Sequence, residues 1–171
     1  MSRIDLHAGP AVGFDQPFDM LEACHERVQR SLRLLQRLQA HVAEQGVDAQ
    51  AREAAGDVLR YFDKAGPAHH EDEERHVLPR LRELGEVALA ERLHADHRAM
   101  EAQWRSLREV LAAIAAGQAL QLDAEACARY AALYAAHIEA EEGQAYPKVR
   151  AVSTPVQCQM MGEEMAQQRR M

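Results

Sequence analysis

Aromatic residues are scarce in this chain, at 5% of 171 positions, whereas Ala, Leu, Glu, Arg and Gln abound. Sheets draw on aromatic and β-branched side chains and helices on unbranched ones, so the shortage argues for a helical fold. Cysteine is short as well: Cys24, Cys127 and Cys158 form an odd, scattered set with no Cys-x-x-Cys. Such a set builds no disulfide framework and points to a reducing, cytoplasmic setting. There is no basic stripe, and the net charge of -7 excludes nucleic acid as an expected partner. No apolar run is long enough to cross a membrane, and MSRIDLHAGPAVGF at the start lacks the basic-then-apolar pattern of a secretory signal. A nucleophile–base pair and a phosphate-cradling glycine loop are missing too, which removes hydrolase and kinase chemistry from consideration. What remains is a chain of one-domain size with 47% hydrophobic residues, enough to bury a core without cross-links.

Helical periodicity is what the sequence has in quantity. Leu21, His25, Val28, Leu32, Leu35 and Val42 recur at steps of three, four and seven, with Pro17 suited to a first turn and Gly46 to a stop. A second segment runs from about Asp48 to Leu78 and carries Val58, Phe62, Ala65 and His69 on one stripe. Gly66-Pro67 within it predicts a kink one turn before its histidines. The third stripe is Leu93, His97, Met100, Trp104, Leu107, Leu111 and Ile114, stopped by Gly117. Asp123 is placed to cap a fourth helix bearing Tyr130, Leu133, His137 and Glu141 on one face. Short connections make neighbours antiparallel, so the expected fold is all-α: an up-down-up-down four-helix bundle over residues 1–152. Ser153-Thr154-Pro155 opens a short additional C-terminal helix, a tail over 153–171 that packs on the bundle or mediates a homodimer.

The chain repeats itself. HHEDEERHVLP at 69–79 aligns without gaps on HIEAEEGQAYP at 137–147, matching His69 with His137, Glu73 with Glu141 and Pro79 with Pro147. The same offset pairs Phe62 with Tyr130, and Leu21-x-x-x-His25 corresponds more loosely to Leu93-x-x-x-His97. Residues four apart on a helix differ by about 40° in direction, so each His-x-x-x-Glu turn aims an imidazole and a carboxylate to one side. His25 and His97 sit where their heptads call for Leu. Taken singly, a histidine on an apolar stripe is more often a hydrogen-bonded core residue, and Glu73-Glu74 or Glu141-Glu142 more often a solvated face. Matched turns on two helices plus a histidine on each of the others change that balance. So many ionisable groups on apolar stripes must be paired or coordinated, since unpaired burial costs several kcal/mol each. The pattern predicts a metal site at the middle of the bundle.

CHERV at 24–28, HHEDEERHVLP at 69–79, LHADH at 93–97 and HIEAEEGQAYP at 137–147 resemble the four helix signatures of the hemerythrin-like, HHE cation-binding family, over about residues 17–150. The resemblance implies a four-helix bundle with two irons held by His and bridging carboxylates. Carried over position by position, the ligands would be His25, His69, Glu73, His97, His137 and Glu141. Oxygen-carrying members have His-x-x-x-His on the third helix and His-x-x-x-x-Asp on the fourth. Here the third has His94-x-x-His97 followed by Glu101, and the fourth His-x-x-x-Glu. Glu101 lies about 40° from His97 and His94 about 60° away on the same side; either could complete the set, and Glu101 is preferred. His70 with Glu74 offers a competing register on the second helix, although the repeat argues for His69. Zn and Mn accept similar donors.

A protein that binds or senses O2, NO or peroxide, or that buffers iron, is the first expectation. The alternative is a ferritin-like di-iron oxidase or peroxidase, which wants Glu-x-x-His turns. Glu22-x-x-His25, Glu73-x-x-His76 and Glu91-x-x-His94 have the spacing, but on helices one, two and three, and helix four has Tyr134 where its glutamate should stand. A bundle serving as a metal-free interaction module is a third possibility. Trp104 and Tyr130 read as core packing, with Tyr130 also within reach of a bound ligand. Cys24 reads as a small buried hydrophobe, and His7 and His41 lack partners at ligand spacing.

Overall fold

The computed structural model describes residues 12–171, and every regular element among them is helical. The opening residues, with His7 and the start of the expected bundle range, lie outside the described residues. Helix α1 spans Pro17–Gln45, begins at a proline as expected, and ends at Gly46, whose φ of 74° gives the chain its left-handed exit. Asp48 caps α2 (Ala49–Arg60) by accepting from the Ala51 N–H. A wide turn over Tyr61–Ala65 leads into α3 (Gly66–His76), followed by the short α4 (Leu78–Glu83). Helix α5 covers Val87–Ala115 and α6 covers Ala124–Ala140, the latter capped by Asp123 through the Glu125 and Ala126 N–H groups. A second wide turn, Glu141–Ala145, joins α6 to α7 (Tyr146–Val152). Thr154 and Gln157 form a reciprocal capping box that starts α8 (Pro155–Gln168).

Four rods therefore make the bundle: α1, α2 with α3, α5, and α6 with α7. Each packs on its chain neighbours, and α6 returns to α1 to close the ring. Helix α8 lies across α1 and α3, so close to the chain ahead of α1 that a Cβ on Gly162 would collide with the Phe14 carbonyl oxygen. Among the described residues, no helix is long and apolar enough to cross a membrane.

The expected kink at Gly66-Pro67 takes a particular form, and it occurs twice. In both wide turns the backbone bonds run from i+5 to i: Gly66 N–H to the Tyr61 carbonyl, and Tyr146 N–H to the Glu141 carbonyl. Each ends two residues before a proline, Pro67 or Pro147. Proline brings no N–H and its ring crowds the carbonyl four residues back, so a locally widened helix accommodates it.

The core is split. One apolar cluster holds Val28 to Val42 of α1 with Val58, Phe62, Met100, Leu107, Leu111, Tyr130 and Ile138. The other holds Phe18 to Leu21 with Leu78, Leu81, Leu89, Leu93, Tyr146, Val149, Met161 and Met165. Between them, on every rod, lies a buried polar layer of His25, His69, Glu73, His97, His137 and Glu141.

Candidate metal centre

The six residues of this layer are at most 2% exposed, and their donor atoms converge. His25 faces inward from α1, His69 and Glu73 from adjacent turns of α3, His97 from α5, and His137 and Glu141 from the end of α6. They form two groups, His25–His69–Glu73–Glu141 and Glu73–His97–His137–Glu141, each with its donor atoms within 4.8 Å of one another. The two carboxylates belong to both. Glu73 turns Oε1 to His69 Nε2 at 2.9 Å and Oε2 to His97 Nε2 at 3.2 Å. Glu141 turns Oε2 to His25 Nε2 at 3.0 Å and Oε1 to His137 Nε2 at 2.8 Å.

Why the Nε2 atoms face inward is visible at the rim. His25 Nδ1 bonds Glu142 at 2.8 Å, His97 Nδ1 bonds Glu74 at 2.9 Å, and His137 Nδ1 bonds Asp96 at 3.1 Å. An outer carboxylate that takes the Nδ1 proton fixes the tautomer, turns the Nε2 lone pair inward and raises its basicity. Those carboxylates are partly exposed, so they face water while orienting a dry interior. His69 differs: its outer side faces the Cys24 thiol, and its Nδ1 has no hydrogen-bond partner among the described residues.

The electrostatics follow from burial opposed by proximity. Burial works against a charged His25, but the Glu141 and Glu73 carboxylates beside it outweigh that and lift its pKa to about 10. Against burial, His69 is likewise raised by Glu73 with help from Cys24, His97 by Glu73 with Glu74 and Glu141, and His137 by Glu141 with Glu73. Burial opposes ionisation of Glu73 too, yet the surrounding imidazoles, His69 foremost, hold it well below the usual carboxylate range. Burial tends to raise the Cys24 thiol, and His69 with Arg169 and Arg27 brings it below its ordinary value.

These residues fit a metal. His69 Nε2, Glu73 Oε2 and Glu141 Oε2 are buried without a hydrogen-bond partner among the described residues, although each lies near a donor-type atom of the layer. Their distances are short and their angles wrong for hydrogen bonds, as lone pairs aimed at a shared point would be. Ligands about 2.1 Å from one ion stand about 3.0 Å apart at neighbouring octahedral corners. The spacings of 2.8, 2.9, 3.0 and 3.2 Å above, and 3.1 Å between His97 Nε2 and His137 Nε2, match that edge.

Three other candidates stand outside both groups. Glu101 is exposed: one turn beyond His97, the inward position belongs to Met100, which is 1% exposed. His94 lies at the rim, 3.8 Å from Glu74 and 3.3 Å from Arg98. His70 is buried but stacks flat on the His97 ring, with centroids 4.1 Å apart, and burial holds it well below its ordinary pKa. The Glu-x-x-His pairs do not meet either, since His76 turns to Glu164 and Glu91 to Arg82. Tyr130 packs among Phe62, Trp104 and Tyr134, and the Trp104 indole N–H donates to Asp63 at 3.0 Å. His41 has a partner after all, Asp48 at 2.8 Å, far along α1 from the layer. Sequence reasoning missed Tyr146, which is fully buried and donates its hydroxyl to Glu73 Oε1. It also missed the Nδ1 partners Glu74, Asp96 and Glu142. Asp96 in particular orients a histidine on another helix, which no spacing along the chain reveals.

A helical bundle with buried His and carboxylate donors in two overlapping groups is a metal-binding protein of helical type. The particular family is shown by comparison: the hemerythrin HHE cation binding domain matches residues 16–149, and the chain belongs to that family. It is also similar to an uncharacterized protein of Haemophilus influenzae, 28% identical over 131 residues that cover 75% of this chain and 76% of the relative.

Proposed function

We propose that the layer holds two iron ions and that the protein binds or senses a small oxidant or diatomic ligand, O2, NO or peroxide, ending in the ferric state. The observation that carries this reading is the sharing of Glu73 and Glu141, each of which offers one oxygen to either group. His25 and His69 would hold one ion and His97 and His137 the other, with both carboxylates bridging. Iron in that setting supplies binding and redox chemistry toward such ligands, and anionic bridging oxygens favour its higher oxidation state. The chain supplies selection. A cavity of about 160 Å3 lies on the α3–α5–α6 side, lined by His70, Met100, Trp104, Tyr130 and Tyr134 among others. His70, neutral and stacked on His97, is the wall between this cavity and the layer. The cavity is partly open to solvent and offers a small ligand a way in along an aromatic wall.

Metal analysis of protein from iron-fed cells tests the reading, combined with optical spectra before and after air or peroxide. Two irons per chain and a spectrum that changes on oxidation are expected, one ion for each donor group. Purification with zinc or manganese in place of iron, or iron indifferent to both oxidants, would overturn it. A stable oxygenated form that returns to ferrous when O2 is removed would establish a reversible carrier instead.

A further inference from the structure

We propose that Tyr146 is itself a metal ligand, its phenolate oxygen completing the group made by His25, His69, Glu73 and Glu141; this rests on the iron reading above. The phenol oxygen is already among the donors. It lies 3.1 Å from His25 Nε2, the same corner-to-corner spacing as the rest of the layer, and it hydrogen-bonds Glu73 Oε1. The ring is fixed there, stacked on His25 at 5.5 Å with 12° between planes and edge-on to Phe18. Of the hydroxyl's two partner atoms, Nε2 has a single lone pair, which an ion in this group would take, and Oε1 would share its charge with the ion. The phenol would then sit in a dry interior with its contact to Nε2 lost and its bond to Glu73 weakened. Coordination through the same oxygen removes the conflict.

Local backbone structure puts it there. Five residues along an α-helix sweep about 140° away, so Tyr146 would leave the face of Glu141. The i+5 to i bond from the Tyr146 N–H to the Glu141 carbonyl makes residue 146 occupy the place that i+4 holds in a regular helix, about 40° from Glu141. The repeat shows that this is not a general feature of the two halves: position 146 aligns with Leu78, which packs in the apolar cluster. One group therefore carries two histidines, two shared carboxylates and a phenol, and the other lacks the phenol. The two metal positions are unequal, with the His97–His137 position the more open and adjacent to the His70 cavity.

On binding Fe(III) the phenolic proton passes to solvent and the O–H bond is replaced by an O–Fe bond, with no change in oxidation state. A ferric phenolate has a visible charge-transfer band that enhances tyrosine ring vibrations in resonance Raman spectra, which a merely hydrogen-bonded tyrosine does not. The experiment loads the full chain with Fe(II), oxidises it in air, and measures bound iron and Raman spectra with and without ring-deuterated tyrosine. Label-sensitive tyrosinate modes are expected in the unmodified chain, lost in Tyr146→Phe. They should persist in Tyr61→Phe, Tyr130→Phe and Tyr134→Phe, which together account for the remaining tyrosines. If Tyr146→Phe fails to fold, persistence in all three others assigns the band to Tyr146 by elimination. Bound iron without tyrosinate modes would leave the iron centre standing and overturn the Tyr146 assignment. Modes that survive in Tyr146→Phe, or vanish in one of the other three, would give the ligand role to another tyrosine. No bound iron would defeat both readings together.

Discussion

Chelation should invert the pH dependence of this protein's stability. Without metal, the charge that balances Glu73 and Glu141 is carried by protons on the histidines. His25 shows the magnitude: burial lowers its pKa, but Glu141 and Glu73 more than reverse this and hold it at about 10 against an ordinary 6.5. A value raised on folding contributes stability that is complete below the unfolded value and is lost as pH rises through the folded one. His25 alone should therefore stabilise the metal-free chain by about 4–5 kcal/mol at pH 6 and lose that at about 1.4 kcal/mol per pH unit up to pH 10. His69, His97 and His137 are raised as well and steepen the decline. Glu73, held low by His69 and its neighbours against burial, acts oppositely. Its contribution is present above the unfolded carboxylate value near 4.5 and disappears as pH falls through the depressed one. The metal-free optimum should thus fall between about pH 4.5 and 6.5. In the loaded chain the imidazoles must be deprotonated, so the increment from metal grows as pH rises. Urea unfolding of chelated and iron-loaded protein at about pH 6 and pH 9, followed by circular dichroism, measures both trends. A chelated chain as stable at pH 9 as at pH 6 would refute the argument, because it would mean that the histidines are neutral in the metal-free layer.

Glu73→Ala or Glu141→Ala removes an oxygen from both donor groups and should abolish most metal binding, whereas Glu101→Ala should leave metal content unchanged. Comparable loss from Glu101→Ala would return that residue to the ligand set. Asp96→Asn weakens the acceptor that orients His137 and should reduce metal affinity about 10- to 100-fold, read by competition with a chelator; unchanged affinity would show that this partner does not matter. Arg169→Ala strands the Asp72 carboxylate, which is 1% exposed and bonded to Arg169 at 2.6 Å. Burial already raises the Asp72 pKa, so protonation softens the loss to about 2–3 kcal/mol, below the 3–5 of a broken buried pair. Asp72→Asn added to Arg169→Ala should recover part of the urea midpoint, and failure to do so would place the cost elsewhere.

The fold was legible because its signals are local. Apolar stripes at helical spacing, Pro17, Gly46, the cap Asp123 and the Ser153-Thr154-Pro155 start each act within a few residues of themselves. The inward-facing histidines and glutamates were legible for a related reason: each interrupts a stripe, and the repeat doubles the interruption. Glu101 shows the limit of wheel geometry. A 40° separation describes direction around the axis, but one turn along α5 the layer has ended and Met100 has joined the apolar cluster. The widened turn after Glu141 was illegible for another reason. Pro147 announces a disturbance without saying whether the helix will bend, break or widen, and only widening brings Tyr146 to Glu73. The outer carboxylates Asp96, Glu74 and Glu142 read as ordinary surface charge because their partners lie on other helices.

The polar layer also explains how a bundle can tolerate so many ionisable groups at its centre. The apolar clusters on either side each tie four helical segments together, the second through Val77 and α4 in place of α2 and α3, so the helices are held above and below the layer independently of what fills it. Burying a Leu or Val contributes about 1.5–3 kcal/mol, and Leu21, Leu35, Val42, Leu81, Leu93 and Leu111 are all completely buried. The layer itself need not stabilise the fold; it needs only to be neutral enough to be carried by its neighbours. With protons on the histidines it is a network of imidazolium–carboxylate pairs, and with cations in their place the same oxygens and nitrogens are satisfied without those protons. Protons and metal would thus be alternative occupants of one polar cavity. The repeat gives that cavity two similar halves, and the departures from the repeat, Leu78 against Tyr146 and His70 against Ile138, are what make the halves chemically different.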